Sequence, residues 1–224
     1  MSIEWGTVWV TLLLATTTTL VLLVLATPLA WWLANTQARL RPIVEALTAL
    51  PLVLPPTVLG FYLLLLLNPT APLGSFWLEL TGQTLTFSFV GLVVASVFYS
   101  LPFMAQPLQA AFESIGHAPL EAAASLRASR MDAFFTVVLP QSARGYLTAI
   151  VLTFAHTVGE FGVVLMVGGN IPGETRVISI AIYEQVETLN YAQAHSMAAL
   201  MLLFSFFVLL FVYSMNRHIP IRVG

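Results

Sequence analysis

The chain has no cysteine and no lysine, and it carries little charge of either sign. The absence of cysteine excludes disulfides, thiolate catalysis, iron–sulfur clusters and cysteine-based zinc sites. Only 8% of the 224 residues are charged and 58% are hydrophobic, whereas soluble domains are roughly 25% charged. Eight arginines in a chain of net charge −2 form no basic patch for nucleic acid. The composition argues against a soluble enzyme, a nucleic-acid binder and a disordered protein, and it indicates an integral membrane protein in contact with lipid.

Long charge-free windows predict an all-α membrane protein with five spanning helices and a single transmembrane domain over residues 1–224. The spans are expected at about residues 9–34, 48–67, 84–106, 146–167 and 195–213, because a helix needs about 20 mostly apolar residues to cross a bilayer. The first is too long for a cleaved signal peptide and lacks a basic flank, so it is expected to remain. Prolines interrupt the second span, as either a packing kink or an unwound stretch lining a pathway. They are Pro51, Pro55 and Pro56.

Arginine is concentrated on one side of the predicted membrane. Numbering the segments between spans alternately places Arg176 alone on one side. The other side holds the remaining seven, which are Arg39, Arg41, Arg127, Arg130, Arg144, Arg217 and Arg222. Because an arginine excess marks the cytoplasmic side, we expect the N-terminus outside and the C-terminus in the cytoplasm.

The longest polar segment on the expected inner side covers residues from about 113 to 145 and suggests two short helices at the membrane surface. From Glu121 to Gly145 it reads EAAASLRASRMDAFFTVVLPQSARG. Either an in-plane amphipathic helix or a docking element for a cytoplasmic partner fits this pattern. A G-x-x-x-x-G-K-[ST] loop is impossible without lysine, so any ATP hydrolysis that drives this protein by that route belongs to another chain.

This segment resembles the EAA loop of ABC-importer permeases. The resemblance implies a coupling helix that sits in a cleft of an ATP-binding subunit. The coupling residues that it implies are Glu121, Ala122, Ala123, Ala128, Leu139, Pro140 and Gly145. Arg127 stands where the family pattern has glycine, and glycine permits backbone conformations that strain arginine. Either the local turn differs here or the helix continues.

The fourth predicted span carries His156 and Glu160 one turn apart on the same helix face. Ionisable side chains inside a span usually face the bundle interior or water. Four interpretations stay open: a structural His–Glu hydrogen-bond pair, a cap by Glu160 on an interrupted helix, a proton relay, or a direct role in a pathway or gate. A zinc protease helix needs a second histidine, which is missing nearby, so no metal site is expected.

Three stretches sharpen the resemblance toward the permease subunit of molybdate ABC transporters: GEFG at 159–162, GGNIPGET at 168–175 and SIAIYEQVETLNYAQA at 179–194. The resemblance implies a multi-pass permease of the type I importer fold in the inner membrane of a bacterium. It implies a homodimer, two ATP-binding subunits and an extracytoplasmic molybdate-binding protein. Molybdate, with tungstate, is the implied cargo, moved by alternating access. No cofactor is expected in this chain, since ATP and Mg would be bound by the partner.

The predicted spans contain no Lys or Arg, so an oxyanion would meet only hydroxyls, amides and helix N-termini. Candidate pathway or gate residues are Thr57, Thr153, His156, Thr157, Gly159, Glu160 and Gly162. An ionised Glu160 at the centre would repel an anion, which favours a structural role or a carboxyl protonated by desolvation.

Three alternatives stay open. A sulfate/thiosulfate permease would share the architecture. A proton-coupled secondary transporter would use His156 and Glu160, although no internal inverted repeat is visible. A membrane protein without transport has only hydrophobicity in its favour.

Overall fold

The computed structural model describes residues 4–218, which form twelve α-helices and one π-helical turn, with no β-strand in that range. Three helices are long and apolar enough to cross a membrane alone: α1 (Trp5–Asn35), α5 (Phe89–Ile115) and α12 (Tyr191–His218). Two bent helix pairs raise the number of spans to five if each pair crosses once. The prediction of an all-helical membrane fold is confirmed. The side chain of Arg217 and all of Arg222, on which the expected orientation partly rests, lie outside the described residues.

The core of the bundle lies where α1 and α5 pack along each other and against α9 (Ala143–Val158). Leu22 and Ala26 of α1 share one buried cluster with Leu108 of α5 and Ala149 of α9. Small residues in this cluster allow the close helix approach typical of membrane bundles. Helix α5 begins at Phe89 rather than near 84, because Ser88 caps it by accepting the Gly91 N–H at 3.1 Å.

The second predicted span consists of two helices, α2 (Arg41–Val53) and α3 (Pro56–Leu67), which meet at an angle of 114°. Pro55 and Pro56 lie at the break, where neither offers an N–H to continue a helix. Pro55 and Pro56 therefore interrupt this span, whereas Pro51 lies inside α2 and does not break it. The short helix α4 (Pro72–Thr81) follows α3.

The fourth predicted span is also interrupted. Helix α9 ends at Val158, and α10 (Gly162–Gly168) begins after a break of three residues, at an angle of 61° to it. The span expected over about 146–167 is thus divided between two helices. Helix α11 (Ile178–Glu187) follows on the expected outer side, and α12 completes the described chain.

Between α5 and α9 the chain forms α6 (Ala118–Ser125), α7 (Arg130–Ala133), a π-helical turn (Phe134–Val138) and α8 (Leu139–Gln141). We call residues 116–145 the coupling segment. Phe134 anchors it to the bundle, with its ring 5.5 Å from that of Trp31 in α1. Trp31 also contacts Phe112 of α5 edge-on at 5.3 Å. This aromatic cluster fixes the coupling segment against the ends of α1 and α5.

Candidate functional site

Helix α6 ends in a left-handed turn at Arg127, whose φ is +62°. The N–H of Arg127 donates to the Ala124 carbonyl at 2.9 Å, and the N–H of Ala128 donates to the Ala123 carbonyl at 3.0 Å. These two bonds make a Schellman motif, in which the left-handed position is usually glycine. The helix therefore does not continue through Arg127. The turn is the one that glycine favours, formed here with an arginine under backbone strain.

The predicted coupling residues around this turn divide into two groups. Glu121 and Ala122 are exposed on α6. Ala123 is buried and Ala128 is half-buried, and both take part in the turn through their backbone. The acid is thus available to another protein, whereas the two alanines shape the helix end.

Three large apolar side chains of the coupling segment are exposed: Leu126 (85%), Met131 (66%) and Phe135 (56%). None of the three is among the coupling residues that the sequence predicted. The available signal was the presence of large apolar residues in a polar segment between two spans. Exposed apolar side chains grouped in one segment are typical of a protein interaction surface.

The remaining predicted coupling residues join the segment to α9. Pro140 is exposed and Leu139 is half-buried, both in α8. Gly145 lies where α9 crosses α5, since a Cβ there would run into the side chain of Ala111 and lie 3.4 Å from the Pro107 carbonyl oxygen. Gly145 is therefore a position of close helix packing.

A cavity of about 470 Å³ lies where the two interrupted spans meet. It contains five of the seven predicted pathway residues, and its full lining is Pro56, Thr57, Tyr99, His156, Gly159, Glu160, Phe161 and Gly162. Pro56 and Thr57 come from the start of α3, Tyr99 from α5, and the others from the break between α9 and α10 and the residues beside it. The fold thus joins residues from distant parts of the chain in one recess, whose lining is mostly apolar with a few polar groups.

Thr153 and Thr157 are absent from the lining of this cavity. The Thr157 hydroxyl donates to the Thr153 carbonyl at 2.9 Å and lies 2.9 Å from the Ser100 hydroxyl of α5. Thr153 is fully buried, and its own hydroxyl has no partner among the residues that the structure describes. Thr157 therefore holds α9 to α5.

His156 and Glu160 do not bond to each other. Within residues 4–218, His156 Nε2 and both carboxyl oxygens of Glu160 are buried without a hydrogen-bond partner. The His156 ring stacks on Phe103 at a centroid distance of 3.8 Å and lies 4.7 Å from the ring of Tyr99. The interpretations of Glu160 as a partner of His156 and as a helix cap are both wrong. Because α9 ends at Val158, Glu160 leaves the helical position that would place it above His156.

Arg176 joins three parts of the expected outer side. Its guanidinium donates to Glu4 at 3.0 Å, to the Asn170 side-chain oxygen at 2.8 Å, and to Glu184 of α11. The Asn170 amide also donates to Glu184 at 2.9 Å. The Asn170 amide and the Arg176 guanidinium hold the pKa of Glu184 below its usual range. Arg176 is thus engaged with protein groups at this face.

Interrupted spans around a recess that includes hydroxyl, carboxyl and imidazole residues, together with a helical segment between two spans, are features of a transport permease. Residues 26–223 match the family model for the binding-protein-dependent transport system inner membrane component, and the chain belongs to this family. It is therefore a transporter subunit of the inner membrane. Such importer permeases work with a periplasmic binding protein and with an ATPase that hydrolyses ATP. No group of three His, Asp or Glu in the described part of the chain could hold a metal ion.

Within this family the chain is similar to proteins of two transport systems. It is 59% identical to the molybdenum transport system permease protein ModB of Azotobacter vinelandii, over 92% of each chain. It is 34% identical to ModB of Escherichia coli K12, over 83% of this chain and 81% of the other. It is also 34% identical to the sulfate transport system permease protein CysT of Synechocystis, over 84% of this chain and 66% of the other. The chain is a homologue of ModB, and the predicted resemblance is confirmed.

Solved structures agree on the fold. The MetNI methionine ABC transporter in inward-facing conformations matches with a TM-score of 0.75 at 18% identity, over 96% of this chain and 94% of the other. A bacterial ABC transporter involved in the import of the polysaccharide alginate matches with a TM-score of 0.78 at 19% identity, over 98% and 81%. The fold is that of a type I ABC importer permease.

Proposed function

We propose that this chain is the membrane-spanning subunit of an ATP-driven importer of molybdate, and of tungstate. The observation that carries this proposal is the 59% identity with the Azotobacter vinelandii ModB over 92% of both chains. The likeness to sulfate permeases is weaker in identity and leaves a third of the Synechocystis protein unmatched. The whole chain acts as one transmembrane domain in a bacterial inner membrane, with its N-terminus outside and its C-terminus in the cytoplasm.

The working assembly is a homodimer of this chain with two ATP-binding subunits and an extracytoplasmic molybdate-binding protein. ATP and Mg are bound by the partner, and this chain contributes no cofactor. The coupling contact is made by the exposed Glu121 and Ala122, together with the exposed apolar side chains of Leu126, Met131 and Phe135 in the same segment. Burial of these side chains against the ATPase would supply the main favourable free energy of docking.

The cavity between the two interrupted spans belongs to the pathway. It lies in the apolar part of the bundle yet carries hydroxyl, carboxyl and imidazole groups, which an apolar packing contact does not require. Nothing in its lining is a full positive charge. A conduit without a fixed cation binds a dianion weakly, and weak binding lets the ion leave. Alternating access would open this recess to each side in turn.

Uptake by proteoliposomes tests the proposal. The vesicles hold this chain with its ATP-binding subunit and binding protein, and labelled molybdate competes with sulfate. We expect ATP-dependent uptake of molybdate that resists excess sulfate. Loss of molybdate uptake to sulfate would assign the cargo to sulfate, the second candidate, which the CysT likeness favours. Uptake that ignores ATP and follows a proton gradient would refute both and support a secondary transporter.

A further inference from the structure

Two adjoining cavities lie between the end of α1 and the coupling segment. The first, of about 240 Å³, is lined mostly by apolar side chains of both parts, among them Pro28 and Phe134. The second, of about 420 Å³, reaches Asn35, the last residue of α1. Trp31 and Arg130 line both cavities, so the two meet at this pair of side chains. We call the two cavities together the α1 groove.

The α1 groove changes in chemistry along the helix. Near Thr27 it offers mostly carbon, because the Thr27 hydroxyl donates to a backbone carbonyl one turn earlier at 2.6 Å. Near Asn35 it offers the polar side chains of Ser129 and Arg130. From Thr27 to Asn35 the helix rises about 12 Å. Trp31 lies between the two ends, and tryptophan is enriched where a spanning helix passes from hydrocarbon to lipid headgroups.

The polar end carries a positive charge without a counterion. Arg130 is exposed, and its side chain makes no hydrogen bond or ion pair in the part of the chain that the structure describes. No acidic side chain of the described residues lines either cavity, and Asp132, the acid nearest in the sequence, is absent from both linings. The charge of the groove is therefore complementary to an anion.

Two neutral side chains add hydrogen-bond donors at the same end. The Ser129 hydroxyl accepts the Asp132 N–H at 3.1 Å, and its own proton has no acceptor among the described residues. The Asn35 amide uses one N–H on a carbonyl of its own helix at 2.9 Å, which leaves the second N–H free for another acceptor. Together with the guanidinium of Arg130, these groups suit the oxygens of a phosphate.

We propose that the α1 groove binds an anionic phospholipid of the cytoplasmic leaflet. The phosphate accepts hydrogen bonds from Arg130, Ser129 and Asn35, and one acyl chain lies over Pro28 and Phe134. A soluble anion would leave the apolar cavity unfilled, and a zwitterionic headgroup brings its own cation, which weakens its attraction to an arginine. The inference rests on the proposed orientation, which places this end of α1 on the cytoplasmic side, and it does not depend on the cargo.

Photolabelling of the complete transporter, with its ATPase bound, tests where the lipid lies. The probe is phosphatidylglycerol that carries a diazirine on one acyl chain, and mass spectrometry locates the adducts. We expect adducts within residues 27–31 and 131–135 that excess unlabelled phosphatidylglycerol removes and excess phosphatidylcholine leaves. Equal competition by phosphatidylcholine would overturn the selection for an anion. Absence of competed adducts in both stretches would overturn the site, and it would mean that the ATPase or another surface covers the groove.

A matched pair of variants tests the charge. Arg130→Gln removes the positive charge of the groove, whereas Arg39→Gln removes one on the same expected side from a residue that lines neither cavity. Both residues are exposed, so the melting temperature should match the wild type in both variants. Native mass spectrometry of the purified transporter gives the dissociation constant of phosphatidylglycerol. We expect Arg130→Gln to raise this constant about fivefold, the effect of one arginine beside an anionic lipid, and Arg39→Gln to leave it unchanged.

The remaining outcomes separate the lipid from other ligands and from the cargo. An unchanged constant in Arg130→Gln, or an equal rise in both variants, would overturn the site. Displacement of the lipid by inorganic phosphate would assign the polar end to a soluble anion and would overturn the lipid proposal. Neither experiment measures uptake, so a transporter that carries sulfate instead of molybdate would leave both results unchanged.

Discussion

Arg127→Gly should strengthen the turn at the end of α6. Arg127 sits in the left-handed region with φ of +62°, and its side chain is exposed. No hydrogen bond or ion pair of that side chain occurs among the residues that the structure describes, so its removal breaks no contact within this part of the chain. The strain lies in the backbone, because a Cβ crowds the following carbonyl oxygen in this conformation.

The size of the effect follows from two opposing contributions. Relief of the left-handed strain is worth roughly 1–2 kcal/mol. The added freedom of glycine in the unfolded segment takes back roughly 0.4–1 kcal/mol. The midpoints of the two ranges differ by about 0.8 kcal/mol in favour of the folded turn, which corresponds to about a fourfold shift in the local opening equilibrium.

Hydrogen exchange on the purified transporter measures this equilibrium at one place. The informative amides are those of residue 127 and Ala128, which close the turn by donating to Ala124 and Ala123. We expect their exchange to slow about fourfold in Arg127→Gly. The matched control is Arg127→Ala, which removes the same side chain but keeps the Cβ, and it should exchange as fast as the wild type or faster.

Faster exchange in Arg127→Gly than in both the wild type and Arg127→Ala would refute the reasoning. That result would mean that the added backbone freedom of glycine outweighs the relief of left-handed strain. Equal exchange in all three proteins would show that the left-handed strain is absorbed elsewhere in the coupling segment.

Three further predictions address other parts of the molecule. Glu121→Arg should leave the chain inserted but uncouple ATPase activity from uptake, because it reverses an exposed charge at the proposed docking surface; normal uptake would show that the coupling assignment is wrong. Gly162→Ala should lower stability by about 1–3 kcal/mol through overpacking against Pro56, whereas Gly6→Ala, with open space around it, should not; equal melting temperatures would contradict the close approach of α3 and α10. The lowered pKa of Glu184 stabilises the fold above the usual carboxyl range, and this contribution is lost as the pH falls and the carboxyl takes up a proton. In Glu184→Gln the melting temperature should therefore fall less steeply with decreasing pH than in the wild type. An unchanged pH dependence would show that Glu184 does not contribute to acid unfolding.

Helix α9 connects the two candidate sites. Its 16 residues span about 24 Å, from the coupling segment to the cavity. Gly145 packs it on α5 at the first end, and Thr157 bonds it to Ser100 at the second. We expect α5 and α9 to move as one body when the coupling segment is displaced. The cavity would then change shape mainly where α9 faces the start of α3.

Local patterns in the sequence were enough to predict the class of protein. Hydrophobic runs, the absence of lysine and the spacing of the EAA pattern are properties of neighbouring residues, and they predicted a helical permease without its own ATPase. Pro55 and Pro56 likewise marked an interruption, because proline acts on its own backbone. Five of the residues that the sequence offered as pathway candidates line the cavity, and they lie at or near the helix breaks.

Tertiary packing decided the rest, because each feature depends on groups far apart in the chain. Thr57 and Glu160 share one cavity only because Gly60 and Gly162 let α3 and α10 approach closely. A histidine and an acid one turn apart left a bonded pair open as one interpretation, but the break after Val158 separates the two side chains. Arg127 keeps a glycine-like turn because the Schellman hydrogen bonds outweigh its strain. The spacing of hydrophobic residues in the sequence predicts regular helices. It does not predict the contacts that form where those helices end.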